Sequence, residues 1–177
     1  RTGFVSNGTV NLIRAKIDSD VDFMGATLEN PKNSSLVADR AVISGNVSLN
    51  RGFKSQGQIV LFGAEISGDL DFTGAVIQNV GGPILNAGNC KVGGSVVLRE
   101  GFVFDGVVDF TGMNVETSFQ LRGRSIPQND LFRLNMQHAT VRTLSDETES
   151  WPIASGYNID GFKYRFLDSS SPQDFSS

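Results

Sequence analysis

One cysteine, one histidine and one tryptophan stand in a chain of 177 residues, and these scarcities close off whole classes of protein. The lone Cys90 leaves neither an internal disulfide framework nor a dithiol pair, and it says nothing of redox compartment. The lone His138 has no second histidine or cysteine partner with which to build a zinc site. Charge is sparse too, at 19% against the roughly 25% of an average soluble domain, so long charged helices are not expected. The net charge of −4 and a pI near 4.9 exclude a basic stripe for a nucleic-acid backbone. No apolar run approaches the roughly 18 residues of a membrane span, so direct membrane insertion is not expected.

The chain shows no initiator methionine and no signal or transit peptide, and it begins at Arg1 as if in mid-domain. It reads as a fragment of a longer protein. Its compartment stays open, with the cytoplasm the favoured reading. Three Asn-x-Ser/Thr triplets occur, at Asn7, Asn33 and Asn46, and such triplets also arise by chance in Asn- and Ser-rich chains.

What the chain does have is glycine, 20 residues of it, and a repeat. "GQIVLFGAEI" from Gly57 and "GDLDFTGAVI" from Gly68 share one decamer, Gly-x-[Val/Leu/Ile]-x-[Leu/Phe]-x-Gly-Ala-x-[Ile/Val]. Looser copies start at residues 8, 19, 34, 45, 83, 94, 106, 117 and 132. The offsets run 11, 15, 11, 12 and then repeat, so that Gly8, Gly57 and Gly106 are each 49 residues apart. A period that recurs with its insertions in place marks a repeat architecture.

The apolar residues at places 3, 5, 8 and 10 of the decamer fit neither a helix nor one continuous strand. They fit two short extended pieces joined at a corner, where glycine supplies a positive φ. Two decamers then make one turn of roughly 23–26 residues, and successive turns stack as parallel strands. The fold class is all-β: a right-handed parallel β-helix, or solenoid, of about five turns. Residues 1–141 form the repeats, 142–167 a loop and C-terminal cap, and 168–177 a flexible tail.

The column chemistry agrees. The tenth places of one side read Ile17, Ile43, Ile66, Val92, Val115 and Val141. The eighth read Ala15, Ala41, Ala64, Cys90, Met113 and Ala139. The third read Val10, Leu36, Ile59, Leu85, Val108 and Leu134. On the other side the fifth places read Phe23, Leu49, Phe72, Leu98 and Leu121. Arg124 falls in a small-residue place, so the unit from Thr117 is expected to bulge or open. "SDETESWP", 145–152, reads as a loop, and "YNIDGFKYRFL", 157–167, as one last irregular rung.

With "GDLDFTGA", "GGSVVLREGF" and the closing "SWP…NIDGFKYRFLD", the chain resembles bacterial β-helical repeat proteins commonly labelled membrane-associated oxidoreductases. The resemblance covers most of the chain. It implies a β-helix followed by a helical region, which these residues lack, and by its label a redox role. It brings no catalytic residues with it.

An oxidoreductase needs a cofactor site or a redox pair. "GNCKVGGS", 88–95, is close to a phosphate loop, but glycine stands at 94 where lysine is required. No catalytic, cofactor-binding or metal residue is assigned, and no cofactor is expected. Cys90 reads as a small buried hydrophobe. His138 reads as outward-facing, and a Ser-His-Asp triad through it is a remote alternative.

The carboxylates are more suggestive. Asp22 and Asp71 share one outward place two turns apart, with Ser48 between them and Asp20 and Asp69 alongside. Two rungs span about 9.6 Å, the upper edge for an inverting glycosidase pair. A solvated charged face gives the same pattern and is the preferred reading. Phe53 and Phe102, at Gly-Phe corners, read as wall packing.

The chain therefore reads as a non-catalytic interaction or scaffold module of a larger bacterial protein, engaging a protein partner or itself. The alternative is a carbohydrate-binding or carbohydrate-active β-helix using Asp22 and Asp71. Nucleic-acid mimicry by an acidic rod is disfavoured by so small a net charge.

Overall fold

The computed structural model describes residues 3–126, 131–152 and 156–169. Each decamer folds as two short strands around a corner. In most corners the amide of place 8 donates to the carbonyl of place 5, as in Ala64 N to Leu61 O at 3.0 Å and Ala75 N to Phe72 O at 3.0 Å, whereas at the Gly52-Phe53 corner the Phe53 amide donates to Asn50 O at 3.1 Å. Such a four-residue turn, with positive φ at its third residue, favours glycine there. Gly63 (φ 63°) and Gly112 (φ 65°) fill that place, while Arg14, Arg40, Asn89 and His138 hold the same conformation elsewhere in the column.

The turns stack into a parallel β-helix, and every recorded strand pairing is parallel. One sheet holds eight strands, including Thr27–Val37, Lys54–Val60, Val76–Asn86 and Val103–Asp109. The other holds eleven and wraps two sides of the rod, which the continuous strand Asn114–Leu121 joins.

The registers reproduce the expected columns. Val10, Leu36, Ile59, Leu85, Val108 and Leu134 pair in succession. So do Ile17, Ile43, Ile66, Val92, Val115 and Val141. From the second turn on, these inward residues are buried in one continuous core. Phe53 and Phe102 are wholly buried at their corners.

The solenoid has about six turns rather than five. Leu134 pairs on with Tyr157, and Val141 with Tyr164. Tyr157, Ile159, Gly161, Phe162 and Tyr164 lie 49 residues after Val108, Phe110, Gly112, Met113 and Val115. The rung expected to be irregular is thus another copy of the repeat, disguised because aromatic side chains replace β-branched and small ones.

The segment expected to be a loop is partly strand. Thr140–Asp146 and Lys163–Ser169 extend the larger sheet, and only Thr148–Ser150 forms a short 3-10 turn. Of the tail expected over 168–177, Asp168 and Ser169 belong to the last strand, and 170–177 lie outside the described residues. No helix among the described residues is long and apolar enough to cross a membrane.

Arg124 is nearly buried, stacked 4.8 Å over the Phe132 ring, with its Nη2 donating to the Trp151 carbonyl. A register irregularity lies earlier in this unit's strand, between Val115 and Ser118, while at Arg124 itself the amide donates to the Ser150 hydroxyl at 3.3 Å.

Candidate functional site

Asp22, Ser48 and Asp71 do share one column, in register on successive strands. Their carboxylates, however, are engaged by the corners they precede. Asp22 Oδ1 accepts the Met24 amide at 2.8 Å. Asp71 Oδ1 accepts the Thr73 amide at 2.8 Å and its hydroxyl at 2.6 Å, while Oδ2 accepts from the Asn50 side chain. An Asp or Asn that bonds the amide two residues on makes an Asx turn. Asn11, Asn86, Asp109, Asn135 and Asn158 do the same on the opposite side of the rod. The column is a turn-building column.

Asp20 and Asp69 have a second structural task. Asp20 Oδ1 accepts the Asn46 amide at 2.7 Å, Asn46 Oδ1 accepts the Asp69 amide at 2.8 Å, and Asp69 Oδ1 accepts the Ser95 amide at 2.6 Å. Each side chain thereby holds the rung that follows. A glycine precedes each receiving residue, because a Cβ at Gly45, Gly68 or Gly94 would collide with the oxygen of Asp20, Asn46 or Asp69. The triplet at Asn46 is committed to this ladder through both its side-chain atoms.

Cys90 and His138 are not brought together. Cys90 lies wholly buried in the small-residue column, and burial pushes its thiol up to about 12. His138 is exposed at a corner (φ 58°), beside Ala139 and above Gly161. The segment 88–95 forms a corner and the two-residue strand Lys91–Val92, with no helix behind it to present amides to a phosphate. Among the described residues, no three His, Cys, Asp or Glu side chains are grouped to hold a metal. On the face of Glu65 and Lys91 the two side chains pair at 2.8 Å. That hydrogen bond, with the charge of Glu65, holds Lys91 above its ordinary lysine value.

Relief on the rod comes from the insertions. Three residues separate Gln56 from Ile59, but seven separate their partners Glu29 and Leu36, and seven separate Gln78 from Leu85. The extra residues stand out as bulges at 30–33 and 79–82, and the short rung between them leaves a notch. Each bulge is closed by its own asparagine: Asn30 Nδ2 donates to Ser34 O, and Asn79 Nδ2 to Pro83 O, both at 2.9 Å. The Lys32 amide donates to Asn79 Oδ1 at 3.2 Å, strapping one bulge to the other across the short rung. A depression of about 160 Å³ lies on one side of the strap, against Gln56, Gln78 and Asn79. One of about 440 Å³ lies on the other, against Lys32, Asn33, Gln58 and Pro83. Apart from Asn33, noted only for its triplet, these residues were not singled out from the sequence. The signal was there in the 15-residue offsets, which say where the wall must protrude.

The two ends form a further surface. At the N-terminal end Val10, Leu12, Ile17 and Phe23 occupy core columns yet are only partly buried, and Phe4, Val5 and Ile13 are exposed. At the C-terminal end Tyr157, Tyr164, Phe166 and Leu167 are exposed.

No family model, curated protein or solved structure matches this chain, so the resemblance drawn from its motifs rests on those motifs alone.

Proposed function

We propose that the chain is a non-catalytic interaction module of a longer bacterial protein, a rod that presents its faces to a protein partner or to a second copy of itself. The observation that carries this reading is how its reactive side chains are employed. The carboxylates of Asp20, Asp22, Asp69 and Asp71 hold turns and successive rungs, and Cys90 is core, which supports a role without catalysis. A solenoid offers extended surfaces for such contacts.

The test has two arms. Sedimentation velocity over a range of concentrations reads self-association of the purified chain. Reducing-end assays on a panel of polysaccharides, with the wild type and with Asp22→Asn and Asp71→Asn, read catalysis. No release of reducing ends by any of them is expected. Release by the wild type that Asp71→Asn abolishes would overturn the reading.

A further inference from the structure

The fold treats its three methionines differently. Met113 and Met136 lie in core columns and are 1% and 0% exposed, whereas Met24 stands at a corner and is 43% exposed. The turn that aims it outward is fixed at both ends. Asp22 Oδ1 accepts the Met24 amide at 2.8 Å, and the Ala26 amide donates to Phe23 O at 2.9 Å. At successive 49-residue steps the same place holds Thr73 and Arg122, so it belongs to the outer wall and not to the core.

On the next turn lies the Arg51-Gly52 corner. Arg51 holds a φ of 49°, a left-handed conformation that an arginine adopts at some cost. Its Nη1 donates to Met24 Sδ at 3.8 Å. Among the described residues the Arg51 guanidinium makes no ion pair and no other hydrogen bond. The nearby carboxylates of Asp22 and Asp71 are engaged by their own turns. A full cation is thus set against a thioether sulfur, which is a weak acceptor. The place suits a stronger acceptor on that sulfur.

We propose that Met24 is an oxidation site and that Arg51 captures the sulfoxide formed there. The oxidant is a peroxide. A sulfur lone pair attacks one peroxide oxygen, and the O–O bond breaks as the S–O bond forms. The second oxygen leaves as hydroxide and takes up a proton to become water. Sulfur gives up two electrons and the peroxide gains them. The oxygen added to Sδ can accept from Nη1 at the usual charge-assisted distance of about 2.8 Å without the arginine moving. Methionine sulfoxide ordinarily disrupts the packing around it. Here the side chain is on the outer wall, so no core contact is lost, and a weak contact becomes a charge-assisted hydrogen bond between two turns. The inference does not depend on what the rod binds.

The test treats the native protein with hydrogen peroxide and follows its peptides by mass spectrometry. Met24 should gain one oxygen at least about tenfold faster than Met113 or Met136, and all three should react at similar rates in urea. Treatment stopped when Met24 is converted should raise the Tm of the wild type. Arg51→Asn, which suits the left-handed conformation, should lose that gain, so that the two oxidation shifts differ by about 2 °C or more. Met24→Leu should show no shift over the same exposure. Equal native rates for the three methionines overturn the site. Equal oxidation shifts in wild type and Arg51→Asn overturn the capture by Arg51. A shift that persists in Met24→Leu assigns the effect to another residue and overturns the proposal.

Discussion

Replacing Phe72 by alanine tests the inward phase of the whole repeat, because its neighbour Asp71 faces the other way. The Phe72 ring is wholly buried and meets Phe104 edge-on, with centroids 5.5 Å apart. Phe104 in turn packs edge-on against Phe102 at 5.3 Å and Phe132 at 6.3 Å, so the four rings bridge the core. Truncation removes buried area, the aromatic contact and close packing together, and such changes cost about 3–5 kcal/mol. For a chain of this size that corresponds to a fall in Tm on the order of 10 °C. Asp71→Ala removes the acceptor for the Thr73 amide and hydroxyl and for the side chain of Asn50, which is only 7% exposed. It should cost about 1–2 kcal/mol, more than for an unengaged outward residue, because Asn50 loses a partner inside the wall. Urea and thermal unfolding followed by circular dichroism would measure both. Equal losses, or a loss under about 1 kcal/mol for Phe72→Ala, would refute the inward and outward assignment.

Gly94→Ala should destabilise by about 2 kcal/mol or more, because the new Cβ meets Asp69 Oδ1 and lies 2.7 Å from the Gly68 carbonyl carbon; an unchanged urea midpoint would contradict that. Asp146, 1% exposed in the column below Leu121, accepts the indole N–H of the sole tryptophan, Trp151, at 2.7 Å. Asp146→Ala should red-shift the tryptophan emission while Asp146→Asn, which keeps an acceptor, shifts it less, and equal spectra would remove this latch. Cys90 should resist maleimide in the native state and react once unfolded. Its thiol titrates higher when folded, so the stability it contributes is complete below the unfolded value, near 8.5, and is lost as the pH rises toward about 12. Modification at equal rates in folded and unfolded protein would show that the thiol is not buried.

The parallel solenoid, its columns and its inward phase were legible in the chain itself. They follow from local rules: alternation within each short strand and glycine at corners, repeated every 49 residues. Where the chemistry of a column changed, legibility failed. Tyr157 and Tyr164 continue the columns of Leu134 and Val141, but aromatic residues there concealed the sixth turn. Asp146 concealed a strand in the same way, because a carboxylate in the line of Leu98 and Leu121 does not read as core.

Sequence alone also placed Asp22 and Asp71 in one column, since strand register depends only on residue count. What each carboxylate does depended on which amide lay within 3 Å of it, and that is set by the path of the corner two residues on. The notch at Gln58 is of the same kind. The offsets announce two insertions, but a notch exists only because the short rung lies between two long ones, held by a hydrogen bond joining residues 47 apart in the chain. Spacing along the chain determined which residues share a wall. Contact between turns decided which of their polar groups are used up by the fold and which remain free to meet something else.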